Sequence, residues 1–236
     1  MDLRRPFLEH LEELRRRMLV CLLALVAAGA ACFPFASAVL ELLKRPAPSI
    51  DRLVFFGPEE ALVVLVRVGL FCGAFLAAPV VLWQAWAFLA PAVGPSVRRS
   101  AGLFVAVSTA VFILGGAFAY YLLLPAALTF LLGLATGTLV PLLSAARYVA
   151  FVTNFILACG LVFQMPVVMF FLGRLGVVRP AWLRRHYGAA LVVIFILAAV
   201  ITPTTDIVNM LLLAVPMVGL YEISIWSCGL ARRGGP

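Results

Sequence analysis

The chain has 236 residues, 65% of them hydrophobic and only 12% charged, with a formal net charge of +8 from 18 Lys+Arg against 10 Asp+Glu. Soluble domains carry about one-quarter charged residues, so there is too little polar surface here to cover a water-borne core, and a lipid bilayer is the solvent that fits. The bases fall in short segments between apolar runs and not on one basic module, which argues against nucleic-acid binding and for a polytopic membrane protein.

The first element runs from Phe7 to Met18. Leu8, Leu11, Leu14 and Met18 fall on one face of a helix, at spacings of three and four. Glu12–Arg16 and Glu13–Arg17 are i,i+4 pairs in the favourable order. Two readings stay open: an interfacial amphipathic helix (residues 1–17) whose charges pair with each other, or a carboxylate at the membrane surface that docks a basic partner through a forked arginine contact. Met18–Leu40 follows without any charge and is long enough to span. A cleaved leader ending near Ala38 is not expected, because Asp2, Glu9, Glu12 and Glu13 interrupt what would be its basic segment.

Further spans are expected at about 61–90, 100–124, 148–173, 187–202 and 207–228. Ser100–Ala146 contains no Asp, Glu, Lys or Arg and is long enough to cross once or twice. Loop charges arbitrate. With a cytoplasmic N-terminus and one crossing, 13 Lys and Arg lie inside and 4 outside, with Arg67 in a span; two crossings give 8 inside and 9 outside. The expectation is therefore a single all-α membrane domain of six transmembrane helices with both termini cytoplasmic. Pro125, Gly133, Gly137 and Pro141 are expected to fold residues 125–147 into an external cap. The last two spans are short and joined only by the TPTTD segment, which predicts a tight helical hairpin.

Polar groups inside spans demand a reason. Arg67 either snorkels to the outer interface or pairs with Glu60. Gln164 precedes Pro166, which frees a backbone carbonyl; Gln164 either satisfies that backbone or a neighbouring helix, or forms the polar floor of a cavity. Glu222 is expected near the inner interface, and Gly69-xxx-Gly73 is a candidate close helix contact. Cys21, Cys32, Cys72, Cys159 and Cys228 all lie in apolar runs and read as small buried hydrophobes. His10 and His186 are far apart, so no metal and no cofactor are expected. No GxSxG, HExxH or paired intramembrane aspartate is present, so the chain does not read as an enzyme.

The segment HLEELRRR resembles the opening signature of the TatC family, the multi-spanning receptor subunits of twin-arginine protein translocases. GPEEALVVLVRVGLF, AAPVVLWQAWAFLAPAV, AFAYYLLLPAALTFL and TPTTDIVNMLLLAVPMVGLYE resemble further family segments in the same order, so the resemblance covers about Phe7 to Gly229. It implies a concave, glove-like six-helix bundle in the cytoplasmic membrane of a bacterium or archaeon. It also implies a receptor that binds twin-arginine signal peptides and, with single-span TatA/TatB-type subunits in an oligomeric complex, exports folded proteins using the proton-motive force. Membrane lipid would surround it, and no nucleic acid is involved. By resemblance, Glu13 is the signal-binding glutamate, Arg15 and Arg17 its flanking bases, and Phe88 the aromatic of the first cytoplasmic loop, with Glu9 one turn from Glu13. The chain departs from the family pattern at Val97 and Gln164, where glutamate is usual, and at Leu62, Thr205, Asn209 and Met210. A small-molecule secondary transporter with Arg67, Gln164 and Glu222 along its path is the alternative, and an intramembrane enzyme lacks a residue set.

Overall fold

The computed structural model describes residues 4–46, 53–89, 101–133, 143–202 and 207–233, and the side chains within them except at 4–10, 89 and 231–233. Val97, Arg98, Arg99, Gly137, Pro141 and Thr205, and the side chains of Glu9 and His10, lie outside what it describes.

The amphipathic segment and the apolar run after it form one helix, α1 (Arg4–Cys32), because no proline or charge interrupts the run that follows the arginines. Pro34 then sits in a 3₁₀ turn, Phe33–Phe35, and the chain resumes as α2 (Ala36–Lys44). The last carbonyls of α2 lack regular i+4 donors, although Leu42 O still accepts from the Arg45 amide at 3.2 Å. Tyr120 and Tyr148 reach across to them, donating their hydroxyls to Leu42 O at 2.7 Å and Leu43 O at 2.8 Å.

Helix α3 (Glu60–Leu89) packs along α1. The two backbones touch: a Cβ on Gly73 would lie 2.5 Å from the Gly29 nitrogen, and one on Gly69 would lie 3.2 Å from the Gly29 oxygen. The expected Gly69-xxx-Gly73 contact is therefore made, with Gly29 as its partner, and a side chain at Gly73 would force the helices apart.

Helix α4 (Ala101–Phe118) continues through one π turn, Ala119–Leu123, into α5 (Leu124–Gly133). Pro125 was expected to begin a folded cap, but the helix carries through it. A proline clashes with the carbonyl four residues back, and the wider π turn immediately before Pro125 relieves that clash. The fourth apolar run is two helices, α6 (Ala145–Val162) and α7 (Met165–Arg174), broken at Phe163 and Gln164 because Pro166 has no N–H for the Val162 carbonyl. A short α8 (Pro180–Arg185), α9 (Tyr187–Ile201) and α10 (Ile207–Arg233) complete the order.

Among the described residues, five helical stretches are long and apolar enough to cross a membrane: Leu11–Lys44, Glu60–Phe88, Ala101–Gly133, Ala145–Arg174 and Ile207–Leu230. The shorter apolar α9 is the sixth. The fold is all-α, and one isolated bridge between Val54 and Ser144 is the extended pairing among the described residues. Val64 and Val68 of α3, Val149, Val152 and Phe155 of α6, and Leu213 and Met217 of α10 belong to the central buried cluster. Helix α7 packs on α10, and so does α9. Two elements are poorly covered. Only 6% of the apolar window of the first stretch is buried inside the protein, against 39% for the last. In α9 the buried residues are Ile194 and Ala198.

Candidate functional site

The uncovered face of α1 is one wall of a large groove. Leu11, Leu14, Met18, Leu22 and Leu25 line it from α1, at the helical spacing legible in the sequence. Opposite them, α3 contributes the small residues Ala74, Ala78 and Ala85 with Val81 and Leu82. Short side chains on that wall leave space, and the groove has a volume of about 1080 Å³. Phe112 of α4 and Leu157 and Leu161 of α6 close its base. Leu11 to Leu25 spans roughly 21 Å of helix at 1.5 Å per residue. Met18 is 63% exposed and Leu22 56%, so the groove is apolar yet uncovered by the chain itself.

Gln164 is a buried polar side chain on this lining, only 9% exposed at the break between α6 and α7. Its Nε2 donates to the Ser108 carbonyl of α4 at 3.0 Å. It thus satisfies a neighbouring helix and lines the cavity at once, and this bond goes to α4 and not to the carbonyl freed by Pro166. The Ser108 hydroxyl beside it is 1% exposed and has no hydrogen-bond partner among the described residues.

The charged end of the groove is built from α1 and the far end of α3. Arg15, Arg17, Gln84 and Phe88 all line it. Arg17 donates from Nε and Nη2 to Glu13 Oε1, at 3.0 and 2.6 Å, and from Nη1 to Gln84 Oε1 at 3.1 Å. Of the two i,i+4 pairs expected on α1, Glu13–Arg17 therefore forms. Glu12 and Arg16 are both exposed, and among the described residues no ion pair joins them. Glu9 lies one turn before Glu13 on the same helix.

The structure gathers Glu13, Arg15, Arg17, Phe88 and Gln164 around one groove and leaves Arg67 and Glu222 outside it. The pairing considered for Arg67 and Glu60 is not made among the described residues. Glu60 has other work: its carboxylate accepts from the Ser144 hydroxyl, from the Phe56 amide at 2.6 Å and from the Ala146 amide at 3.2 Å. These bonds tie the segment before α3 to the start of α6, next to the backbone bonds Val54 N to Leu143 O and Ala145 N to Val54 O, both at 3.0 Å. Glu222 is exposed on α10 beside Tyr187 and Tyr221. Among the described residues no three His, Cys, Asp or Glu side chains gather as metal ligands would.

Neither Gln84 nor Ser108 has a role assigned from the sequence alone. The signal for Gln84 was present: it stands four residues before Phe88, hence on the same helical face. Ser108 gave no such signal, because nothing local links it to residue 164.

The family model for the Sec-independent protein translocase protein (TatC) matches residues 9–216. The Sec-independent protein translocase protein TatC of Koribacter versatilis (strain Ellin345) is 38% identical over 226 residues, covering 93% of this chain and 83% of that protein. The protein of the same name from Aquifex aeolicus (strain VF5) is 37% identical over 234 residues, covering 97% and 96%. Among solved structures, the crystal structure of the twin arginine translocase receptor TatC aligns with a TM-score of 0.83 at 36% identity, covering 94% of this chain and 99% of that one.

Proposed function

The chain belongs to the TatC family of Sec-independent protein translocase proteins, and from that premise we propose that it is a receptor whose groove takes twin-arginine signal peptides. The charged end, with Glu13, Arg15, Arg17 and Phe88, receives the paired arginines, and Glu9 adds a second carboxylate one turn away. The apolar groove along α1 then takes the hydrophobic segment that follows them. About 21 Å of helix suits some fourteen residues of an apolar segment. Folded cargo crosses the cytoplasmic membrane with single-span TatA/TatB-type subunits in an oligomeric complex, driven by the proton-motive force, and both termini of this chain face the cytoplasm. None of these roles needs a catalytic residue.

The observation that carries this reading is the continuity of one groove from the Glu13–Arg17 pair to Gln164. A charged anchor and an apolar trough in line match a peptide that is basic at one end and greasy beyond it. The solute-transporter alternative loses its basis, since Arg67 and Glu222 do not line the groove that Gln164 lines. The test is site-specific photocrosslinking of a twin-arginine signal peptide to the purified full chain in nanodiscs. Probes at Leu22 and Leu161 should capture the peptide's apolar segment, and a probe at Leu197 should not. Equal capture at all three positions, or equal capture of a twin-lysine peptide, would remove the groove from this role.

A further inference from the structure

The guanidinium of Arg17 is held by acceptors from two helices. Glu13 Oε1, one turn back on α1, takes two of its N–H groups, and Gln84 Oε1 on α3 takes a third. A guanidinium presents its donors in a fixed planar fork, and a carboxylate and an amide oxygen placed along that fork hold it in one orientation. The Glu13–Gln84 pair is therefore a guanidinium seat, lying at the end of an open groove and filled by an arginine of the chain itself. Arg17 is partly exposed, with 23% of its side chain open to solvent, so it leaves by rotation of its own side chain without any shift of helices.

Building on the proposed receptor role, we infer that the Glu13–Gln84 pair is the seat for a cargo arginine and that Arg17 is its resident competitor. Gln84 then determines specificity, because it supplies from α3 a second acceptor in a chain that carries valine at position 97. Arg17 raises the threshold for entry. A cargo arginine replaces the bonds it breaks with bonds of the same kind. A lysine ammonium is a compact point charge without the planar fork, so it recovers less and displaces Arg17 poorly. Discrimination between the two bases thus depends on the competitor as well as on the acceptors. When cargo leaves, Arg17 returns, and Glu13 regains its ion pair.

The test uses the full chain in nanodiscs, with twin-arginine and twin-lysine signal peptides and with methylguanidinium as a probe of the seat. Arg17→Met keeps the length of the stem and removes every donor. A partly exposed ion pair contributes up to about 1 kcal/mol, so this variant should bind the twin-arginine peptide roughly two- to five-fold more tightly. Its preference over twin-lysine should shrink, and methylguanidinium should displace peptide at lower concentration than from the wild type. Gln84→Leu should weaken twin-arginine binding several-fold. Unchanged or weaker peptide affinity in Arg17→Met overturns Arg17 as the competitor, and unchanged affinity in Gln84→Leu overturns the seat. Arg17→Lys, which keeps the charge and loses the fork, gives a smaller tightening and covers the case in which the methionine variant does not fold. Glu13→Gln separates the two levels of the argument. If it leaves affinity unchanged, the receptor reading of the groove itself fails; if it weakens affinity while Arg17→Met does nothing, only the competitor is lost.

Discussion

Replacing Gln164 with leucine removes the polar group from the base of the groove while leaving its volume nearly intact. The direct loss is one hydrogen bond, Nε2 to Ser108 O at 3.0 Å, in a residue only 9% exposed. A bond of this kind contributes about 0.5–1.5 kcal/mol net. The Ser108 carbonyl lies inside α4 and keeps its helical donor, so no buried acceptor is stranded. The variant should therefore fold and assemble, with a melting temperature lower by on the order of a few degrees. Transport should fall much further than stability if the amide serves the groove's occupant. Ser108→Ala is the matched control: it deletes a buried hydroxyl that has no partner among the described residues, so stability should be unchanged or slightly higher and transport normal. Gln164→Glu should retain transport, although its carboxyl keeps the bond to Ser108 only when it carries a proton. The assay is precursor import into inverted vesicles, alongside thermal unfolding of the purified chain. Full transport in Gln164→Leu refutes the reasoning and returns the residue to helix packing.

Cysteines at Ser96 and Arg184 should react with a membrane-impermeant thiol reagent from the cytoplasmic side, and those at Ser49 and Thr138 from the outside; cytoplasmic labelling at 138 breaks the six-span topology. Cysteines at Leu197 of α9 and Met210 of α10 should crosslink to a single-span partner subunit, since Ile194 and Ala198 are the buried residues of α9; crosslinks confined to α1, whose face is also uncovered, would move the docking edge there. Glu60→Gln exchanges an acceptor of three bonds for an amide that must present one N–H₂ among donors, so amide hydrogen exchange at Val54 and Ala145 should speed up while α10 stays protected. Unaltered exchange at those two amides would mean the tie does not depend on the carboxylate.

The parts of this fold governed by local rules could be read from the sequence. Hydropathy marked every long apolar helix, and the i,i+4 spacing named the Glu13–Arg17 pair that forms. Where prolines and tertiary contacts compete, the local rule gave way. Pro125 is a breaker by its own chemistry, yet a π turn at Ala119–Leu123 lets the helix continue to Gly133. Glu60 stands two turns from Arg67 on α3, so a pair was one of two readings for Arg67, but Ser144 lies 84 residues away in sequence and takes the carboxylate instead. No window of sequence contains that choice.

The same distinction explains why the groove was only half visible. The stripe Leu11, Leu14, Met18 reads from the sequence as one face of an interfacial helix, because one helix face obeys one period, and that face forms the groove's α1 wall. The α3 wall was not legible in this way, because a wall that makes room does so with alanines, and alanine has no preferred face. Gly73 decides the matter from the other side: with the α1 and α3 backbones in contact at Gly29, the two helices are fixed together at one end. Farther along, longer side chains on α1 face Ala74, Ala78 and Ala85, and the space between becomes the groove. The arginine that closes its charged end reaches across that space to Gln84, so the contact that holds the two walls together there is also the one a cargo arginine would have to replace.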